Sequence, residues 1–243
     1  MPLVVEFGGQ PLASAVAGPD VLVTVGGVRG RSVIAPEVSL DRSVALDGSR
    51  FVDLSFPPRE ITIEVAVVSD SLLTQRAAER ALMGWLTALG PRRLEFSDQP
   101  GRYYEAVFSM ATHSRGQQDW SGFSLVFTCP RPYLFGGSVS GAVMLAEPLD
   151  LQTNWYVEPK WSVRASGAVS GFTLEVGGRE YVYDGPVAAN QTVVIDAARR
   201  ETRVGGALRV PEVSGVYPIA RDGDEVTLSV AGSVEFEYEA RWL

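Results

Sequence analysis

The sequence predicts a mainly β protein with two β-sandwich domains, the first carrying one long helix. Apolar and polar residues alternate along most of the chain, which is typical of antiparallel strands with one solvated face. Residues 71–89 break this pattern, because their apolar side chains recur at helical steps of three and four. A glycine-rich stretch separates two strand-rich parts. We therefore expect a first domain over residues 1–136, a linker over 137–154 and a second domain over 155–243.

The alternation is clearest in three stretches of the predicted first domain. One short strand closes at Gly26-Gly27, and two longer strands have an apolar residue at every second position. Side chains two positions apart lie on the same face of a strand, so these residues should face the core. The predicted inward residues are Val21, Val23 and Val25, then Ile61, Ile63, Val65 and Val67, and finally Phe123, Leu125, Phe127 and Cys129.

The helix predicted over residues 71–89 has recognisable boundaries. Ser69 or Ser71 can cap its N-terminus, and Gly90-Pro91 ends it. At ~1.5 Å per residue it would be roughly 28 Å long. Its apolar face should cover one face or the open end of the first sandwich. That face comprises Ala78, Leu82, Trp85, Leu86 and Leu89.

The stretch LEFSDQPGRYYEAVF, residues 94–108, predicts a strand, a sharp turn and a second strand. Pro100 and Gly101 fix the turn, because they supply the backbone angles that tight turns require. Tyr103 and Tyr104 are consecutive and should point to opposite faces, so that one enters the core while the other meets a neighbouring chain. The alternative, in which both tyrosines pack within one chain, stays open. These four residues therefore form either a subunit interface or a structural turn.

Short strands return at close spacing in the predicted second domain. A Gly-Gly pair in VGGRE predicts a two-residue hairpin turn. The last strand, VEFEYEARWL, alternates most regularly, with Val234, Phe236, Tyr238, Ala240 and Trp242 on the inner face and glutamates on the outer one. Seven or so short strands in about 90 residues predict a second β-sandwich.

Composition argues against several classes of protein. The formal net charge is −8 and no basic block occurs, so specific binding to nucleic acid is not expected. A single cysteine cannot form an internal disulfide. No apolar run reaches the ~20 residues that a membrane helix needs, and the start MPLVVEFGGQ does not resemble a secretion signal. We therefore expect no membrane insertion.

The sequence offers no candidate catalytic residue, and we predict that the protein is not an enzyme. His113 is the only histidine and lacks the context of a nucleophile elbow. Cys129 continues an apolar strand face, as a small buried hydrophobic residue would. The carboxylates of the last strand alternate on its solvated face. Since no metal-ligand spacing occurs either, we expect no metal and no cofactor.

Aromatic residues of the second domain suggest an alternative function. Trp155, Trp161 and Tyr183 are candidates for contact with a sugar or a partner protein, since aromatic rings stack on sugar rings. The same residue types are also common in the cores of β-sandwiches. A carbohydrate-binding or adhesion protein is therefore the alternative to a purely structural role.

The order of the pieces resembles the distal tail protein family of long-tailed, siphovirus-type bacteriophages. In that family a strand with an Arg-x-Ile-like start precedes the helix, as Arg59-Glu60-Ile61 does here. A turn like that of residues 94–104 follows the helix, and the domain closes on a segment like Cys129 to Tyr133. The C-terminal stretch ARDGDEVTLSVAGSVEFEYEARWL resembles the family's closing strands, although Asp222 to Glu225 replace its usual Pro-Gly-Asn-Asn-like turn.

This resemblance implies a structural hub at the virion tail tip, made and assembled in the cytoplasm of the host bacterium. The first domain would form a homo-hexameric ring, or a back-to-back dodecamer, with Pro100, Gly101, Tyr103 and Tyr104 at the ring interface or in a structural turn. The second domain would be galectin-like and lie outside the ring. The implied partners are the tail tube protein and the tail-tip or baseplate hub and receptor-binding proteins. DNA would pass through the ring without specific binding.

Overall fold

The chain divides into two compact units, residues 1–134 together with Leu243 and residues Phe135–Trp242. The structure, a computed structural model, describes residues 3–16, 18, 20–41, 49–115, 120–210 and 212–243. Within these residues the protein is mainly β, with antiparallel sheets and two helices, so the predicted class is confirmed. No helix in these ranges is both long enough and apolar enough to cross a membrane.

The first unit is an antiparallel ladder with a helix packed against it and a separate two-stranded hairpin. Its elements are β1 (Val5–Phe7), β2 (Gln10–Pro11), α1 (Leu12–Val16), β3 (Val21–Arg29), β4 (Glu37–Asp41), β5 (Arg50–Ser55), β6 (Arg59–Ser69), α2 (Leu72–Leu86), β7 (Arg92–Phe96), β8 (Tyr103–Arg115) and β9 (Trp120–Cys129). The strand order is β3-β6-β9-β8-β7-β1-β2, and β4 pairs with β5 alone. The long strand β8 pairs with β7 up to Ala106 and with β9 from Val107 onward, and the pairing with β9 contains a bulge between Phe108 and Met110.

The core of the first unit lies between the ladder and α2. On β6 the predicted inward residues are buried, and on α2 so are Ala78, Leu82, Trp85 and Leu86. The rings of Phe7, Trp85 and Phe127 meet edge to face, with centroids 5.1 to 6.4 Å apart. Aromatic pairs favour this geometry because the ring edge is positive and the face negative.

Helix α2 is shorter than predicted at its C-terminus. Ser71 caps the start, where its side chain accepts a hydrogen bond from the backbone of Thr74. The helix ends at Leu86 because Thr87 is extended and its hydroxyl bonds the carbonyl of Met83. Leu89, predicted to belong to the apolar face, is fully exposed. The side chain of Thr87 thus ends the helix before the Gly90-Pro91 pair is reached.

The second unit consists of two antiparallel sheets that share one core. Its strands are β10 (Leu134–Ala142), β11 (Lys160–Ala165), β12 (Phe172–Val176), β13 (Arg179–Tyr183), β14 (Thr192–Asp196), β15 (Glu201–Val204), β16 (Ala207–Leu208), β17 (Val213–Gly215), β18 (Val226–Leu228) and β19 (Gly232–Trp242). One sheet has the order β16-β15-β14-β11-β19-β10 and the other β17-β13-β12-β18. Side chains from both sheets fill the core, for example Trp161 and Ile195 from the first and Leu174 and Tyr181 from the second.

The segment expected as a linker, residues 137–154, lies within the second unit and begins as strand. Residues 137–142 continue β10, which pairs with the last strand β19. Two glycines of β10 have a packing role: a Cβ added at Gly136 would lie 2.7 Å from the ring of Trp242, and one at Gly141 would lie 3.2 Å from the ring of Phe236. The glycine content that suggested a linker therefore makes room, in part, for aromatic rings.

Candidate assembly surface

The hairpin formed by β4 and β5 exposes an apolar face. Each of its described residues is exposed. Val38 pairs with Leu54 and Leu40 with Phe51, while the polar Ser39 pairs with Asp53. Side chains alternate between the faces of a hairpin, so the apolar residues gather on one side. An isolated two-stranded hairpin is at best marginally stable in water, and this one therefore presents a face suited to a partner.

Burial numbers show how unusual this hairpin is within its unit. The exposed fractions of Val38, Leu40, Phe51 and Val52 are 53%, 56%, 60% and 57%. On the neighbouring strand β6, Ile61 and Ile63 are fully buried. The hairpin thus has strand-like alternation without a core beneath it.

A buried arginine holds the root of the hairpin. Arg59, the first residue of β6, is 3% exposed. Its Nε donates to the carbonyl of Pro132 (2.9 Å), and its Nη1 donates to the carbonyls of Gly30 (3.0 Å) and Ser32 (2.6 Å). Burial lowers the pKa of Arg59, an effect that the neighbouring Tyr104 partly opposes. The three carbonyls together satisfy a guanidinium that would otherwise be costly to bury.

The backbone at the hairpin root can only be glycine. Gly30 has φ of +86°, a conformation that side-chain-bearing residues rarely adopt. A Cβ at this position would lie 1.9 Å from the carbonyl oxygen of Glu60. The chain therefore leaves β3 and passes closely over the start of β6 before it enters the hairpin.

A second arginine ties the hairpin root to the turn after β7. Both terminal nitrogens of Arg31 donate to the carboxylate of Asp98, at 2.9 and 2.8 Å. The Arg31 guanidinium also lies 4.3 Å above the ring of Phe96. A bidentate pair of this kind fixes orientation as well as distance. The turn predicted around Pro100 and Gly101 thus begins beside Asp98, which holds the hairpin root through Arg31.

The turn itself has the predicted sharp geometry, and both of its tyrosines are buried. Gly101 has φ of +73°, and the amide of Arg102 donates to the carbonyl of Gln99. Tyr103 is 7% and Tyr104 1% exposed, because Arg93 covers the ring of the first and the second lies inside the unit. Burial raises the pKa of Tyr104. Of the two alternatives for the tyrosines, packing within one chain is the one that this burial supports.

The three aromatic residues considered for sugar contact differ in how far they are buried. Trp161 is fully buried and its indole nitrogen donates to the carbonyl of Pro218 at 2.8 Å. Tyr183 is 1% exposed and packs against Phe172 with centroids 5.6 Å apart. Trp155 is partly exposed. Trp161 and Tyr183 are therefore core residues of the second unit, and of the three only Trp155 has a partly exposed ring.

His113 and Cys129, which were considered as possible catalytic residues, both pack against other side chains of the first unit. His113 stacks on Phe123 with centroids 4.9 Å apart, and its Nε2 is 3.9 Å from a carboxylate oxygen of Glu79. Burial raises the pKa of the Cys129 thiol to about 12, so the reactive thiolate is strongly disfavoured. Across the described ranges no three His, Cys, Asp or Glu residues are grouped as metal ligands.

The hairpin was not singled out from the sequence, although the pattern was present. The segment EVSLD has apolar residues at alternate positions, and RFVDLS nearly so. Such a pattern predicts a strand with one apolar face, but it does not reveal whether that face is covered. The contacts of Arg31 and Arg59 join positions far apart in sequence and leave no local pattern.

Comparison with known proteins connects this architecture to phage tails. Residues 36–129 match the family model for the phage tail protein RIFT-related domain. The distal tail protein of Bacillus phage SPP1 is 29% identical over 123 residues, which span 49% of this chain and 47% of that protein. The crystal structure of SPP1 Dit aligns over 100% of both chains with a TM-score of 0.79 and 19% identity. The chain is thus similar to siphophage distal tail proteins, over part of its sequence and in its fold.

The proteins that this chain resembles are named as phage tail and adsorption proteins. SPP1 Dit is described as a paradigm of the hub adsorption apparatus in phages that infect Gram-positive bacteria. A chain of the phage P2 baseplate in its activated conformation with Ca aligns over 99% of this chain, with a TM-score of 0.46 and 9% identity. The resemblance predicted from the order of motifs is confirmed. The sequence match to the SPP1 protein spans about half its length.

Proposed function

We propose that this protein is a structural hub of a phage tail tip, in which six copies form a ring that joins the tail tube to the baseplate or tail fibre. The observation that carries the proposal is the β4–β5 hairpin, which exposes an apolar face while its root is rigidly anchored. A fixed arm with an uncovered apolar face is suited to binding a neighbouring subunit. The similarity to the SPP1 distal tail protein supports the tail-tip setting.

The two units would have different places in this assembly. The first unit, a β-sandwich with a helix, would form the ring, because it carries the hairpin. The second would be a galectin-like sandwich outside the ring, an interpretation supported by its two antiparallel sheets around one core. The tail tube protein and the receptor-binding or baseplate proteins would bind around the ring.

Charge fits the passage of DNA through such a ring. Each copy has a formal charge of −8, so a hexamer would carry about −48. An acidic wall repels the DNA backbone, and the genome would pass without being held.

Light scattering on the purified protein tests the proposal. Six copies of a 26.2-kDa chain would have a mass of about 157 kDa, and a dodecamer twice that. Phe51→Asp places a charge on the hairpin's apolar face and should shift the protein to monomers. Val216→Asp is the matched control, since Val216 is 59% exposed in the second unit and should leave the mass unchanged. A native mass that Phe51→Asp does not alter would contradict the hairpin's role.

A further inference from the structure

The core of the first unit is left partly open at strand β3. Alternation puts Val21, Val23 and Val25 on the inward face of this strand, yet all three are only partly buried. On the neighbouring strand β6 the four inward residues are at most 3% exposed. The inward face of β3 therefore lacks part of the cover that a core strand has.

A groove of about 370 Å³ lies beside these valines. Its lining includes Val4 and Val5 at the start of the chain, Leu12 of α1, and Val23 and Val25 of β3. The volume is many times the ~30 Å³ that one water molecule occupies, so the groove can admit side chains. Apolar walls of this kind favour apolar side chains over charged groups.

The two strands that contribute to this groove each have an unpaired edge. β3 pairs with β6 on one side, and no backbone hydrogen bond joins its residues 22–29 to any other segment that the structure describes. β1 pairs along its whole length with β7, but on its other side β2 pairs only with Glu6 and Phe7, which leaves Val5 without a strand partner there. An unpaired edge beside apolar side chains is a template to which a strand of another chain can add.

Strand β4 of a second copy is suited to this edge. Among the described strands it pairs only with β5, and its apolar residues Val38 and Leu40 are 53% and 56% exposed. β4 alternates regularly, whereas the register skips Val52, which forms a bulge in β5. A bulge impairs further pairing along a strand edge, so β4 rather than β5 is the strand that can extend a sheet.

The alternation of β4 also determines where its charges would lie. Opposite residues of neighbouring strands point to the same face of a sheet. When the apolar residues of β4 join the inward face of β3, Ser39 lies on the outer face together with Thr24. Glu37 is two positions from Ser39 and shares that face, so its carboxylate remains in solvent. The contact therefore needs no countercharge from the receiving copy.

We propose that β4 of one copy adds to the unpaired edge of β3 in the next copy and places Val38 and Leu40 in the groove beside that edge. The two surfaces differ, so each copy contributes its hairpin to one neighbour and receives a hairpin from the other. Such head-to-tail contacts can close into a ring. This inference rests on the proposed ring and names the surface that receives the hairpin.

Cross-linking between introduced cysteines tests the strand pairing directly. The natural cysteine, Cys129, is buried and its thiol is strongly disfavoured as a thiolate, so it gives little background. A chain carrying Thr24→Cys and Ser39→Cys, both at exposed positions, should give a ladder of disulfide-linked multimers with up to six copies under mild oxidation. Thr112→Cys with Ser39→Cys is the matched control and should give no ladder, because Thr112 is exposed on β8, inside the sheet and away from the edge.

A charge placed in the groove supplies an independent arm. Val4 is 36% exposed and lines the groove, so Val4→Asp should weaken assembly by about 10-fold or more, because the contact would bury an unpaired carboxylate. Leu22→Asp is the matched control: Leu22 is 61% exposed on the outward face of β3, and its substitution should leave assembly unchanged.

The outcomes separate this inference from the proposed ring. A protein of the ring mass that forms no Thr24–Ser39 ladder would overturn the inference, whatever the effect of Val4→Asp, and would leave the ring intact. A ladder combined with full tolerance of Val4→Asp would support the strand pairing and overturn the placement of side chains in the groove. A chain that stays monomeric at the highest soluble concentration and forms no ladder would overturn both proposals.

Discussion

The hydrogen bonds of the Arg59 side chain predict how its substitution would change the stability of the first unit. Arg59→Met keeps a long, unbranched side chain in the buried site but removes every hydrogen-bond donor. The carbonyls of Pro132, Gly30 and Ser32 then lose the guanidinium that holds them at 2.6 to 3.0 Å. The first unit should become less stable, and the root of the hairpin should loosen more than the rest of the unit.

The expected magnitude follows from opposing contributions. Hydrogen bonds to a charged group contribute about 1.5–3 kcal/mol each, but burying a guanidinium costs several kcal/mol, which methionine avoids. Only the bond to Pro132 is fully buried, so water can replace the guanidinium at the carbonyls of Gly30 and Ser32. We therefore expect a net loss of about 3 kcal/mol in the free energy of unfolding. For a unit of this size that corresponds to a decrease of roughly 10 °C in Tm.

Thermal denaturation with hydrogen exchange measures both effects. Arg29→Met is the matched control, because the side chain of Arg29 is 78% exposed and its pair with Glu64 should contribute less than about 1 kcal/mol. Exchange at residues 30–32 should accelerate in Arg59→Met, while exchange in β12 and β13 of the second unit serves as an internal reference. If Arg59→Met melts within about 1 °C of the unchanged protein, the assignment of Arg59 as the anchor is wrong.

Three further perturbations test packing and protonation. Gly136→Ala should cost about 1–3 kcal/mol because its Cβ would meet an indole ring at 2.7 Å, whereas Gly137→Ala, with nothing within 4 Å, should leave urea denaturation unchanged. Tyr181→Phe removes a buried hydroxyl partner of Thr202 and should cost about 1–2 kcal/mol; adding Thr202→Val should recover part of this, and strictly additive costs would argue against the pair. The pKa of Cys129 is raised from 9.0 to about 12 by burial, so the folded state holds the proton more tightly and stability should fall as pH rises above 9. Between pH 9 and 10 this loss should be about 1 kcal/mol and should be absent in Cys129→Ala; parallel pH curves for the two proteins would contradict it.

The parts of the fold that the sequence predicted are those whose burial repeats with a fixed period. Ile61 and Ile63 on β6, and Val234 and Tyr238 on β19, alternate with solvated residues and are buried as expected. Helix α2 was predicted for the same reason, with a period of 3.6 in place of two. Periodicity reports the face of an element and therefore predicts its type well.

The same reasoning misjudged β10 because glycine has two opposite uses. In isolation, a run containing Gly136, Gly137 and Gly141 indicates a flexible segment. In the structure two of these positions are small because rings of β19 lie over them, while Gly137 has no neighbour within 4 Å of an added Cβ. Only knowledge of the pairing strand distinguishes these cases, and that strand is about 90 residues away in the sequence.

The candidate site was the least predictable part, for a related reason. Consecutive strand residues point to opposite faces, which predicted that one of Tyr103 and Tyr104 would face outward. Both are nevertheless buried, since the side chain of Arg93 covers the outward one. The apolar residues of the hairpin looked like ordinary strand residues, yet Phe51 is 60% exposed. Alternation determines to which face of a strand a side chain points. Whether another part of the protein covers that face depends on long-range contacts.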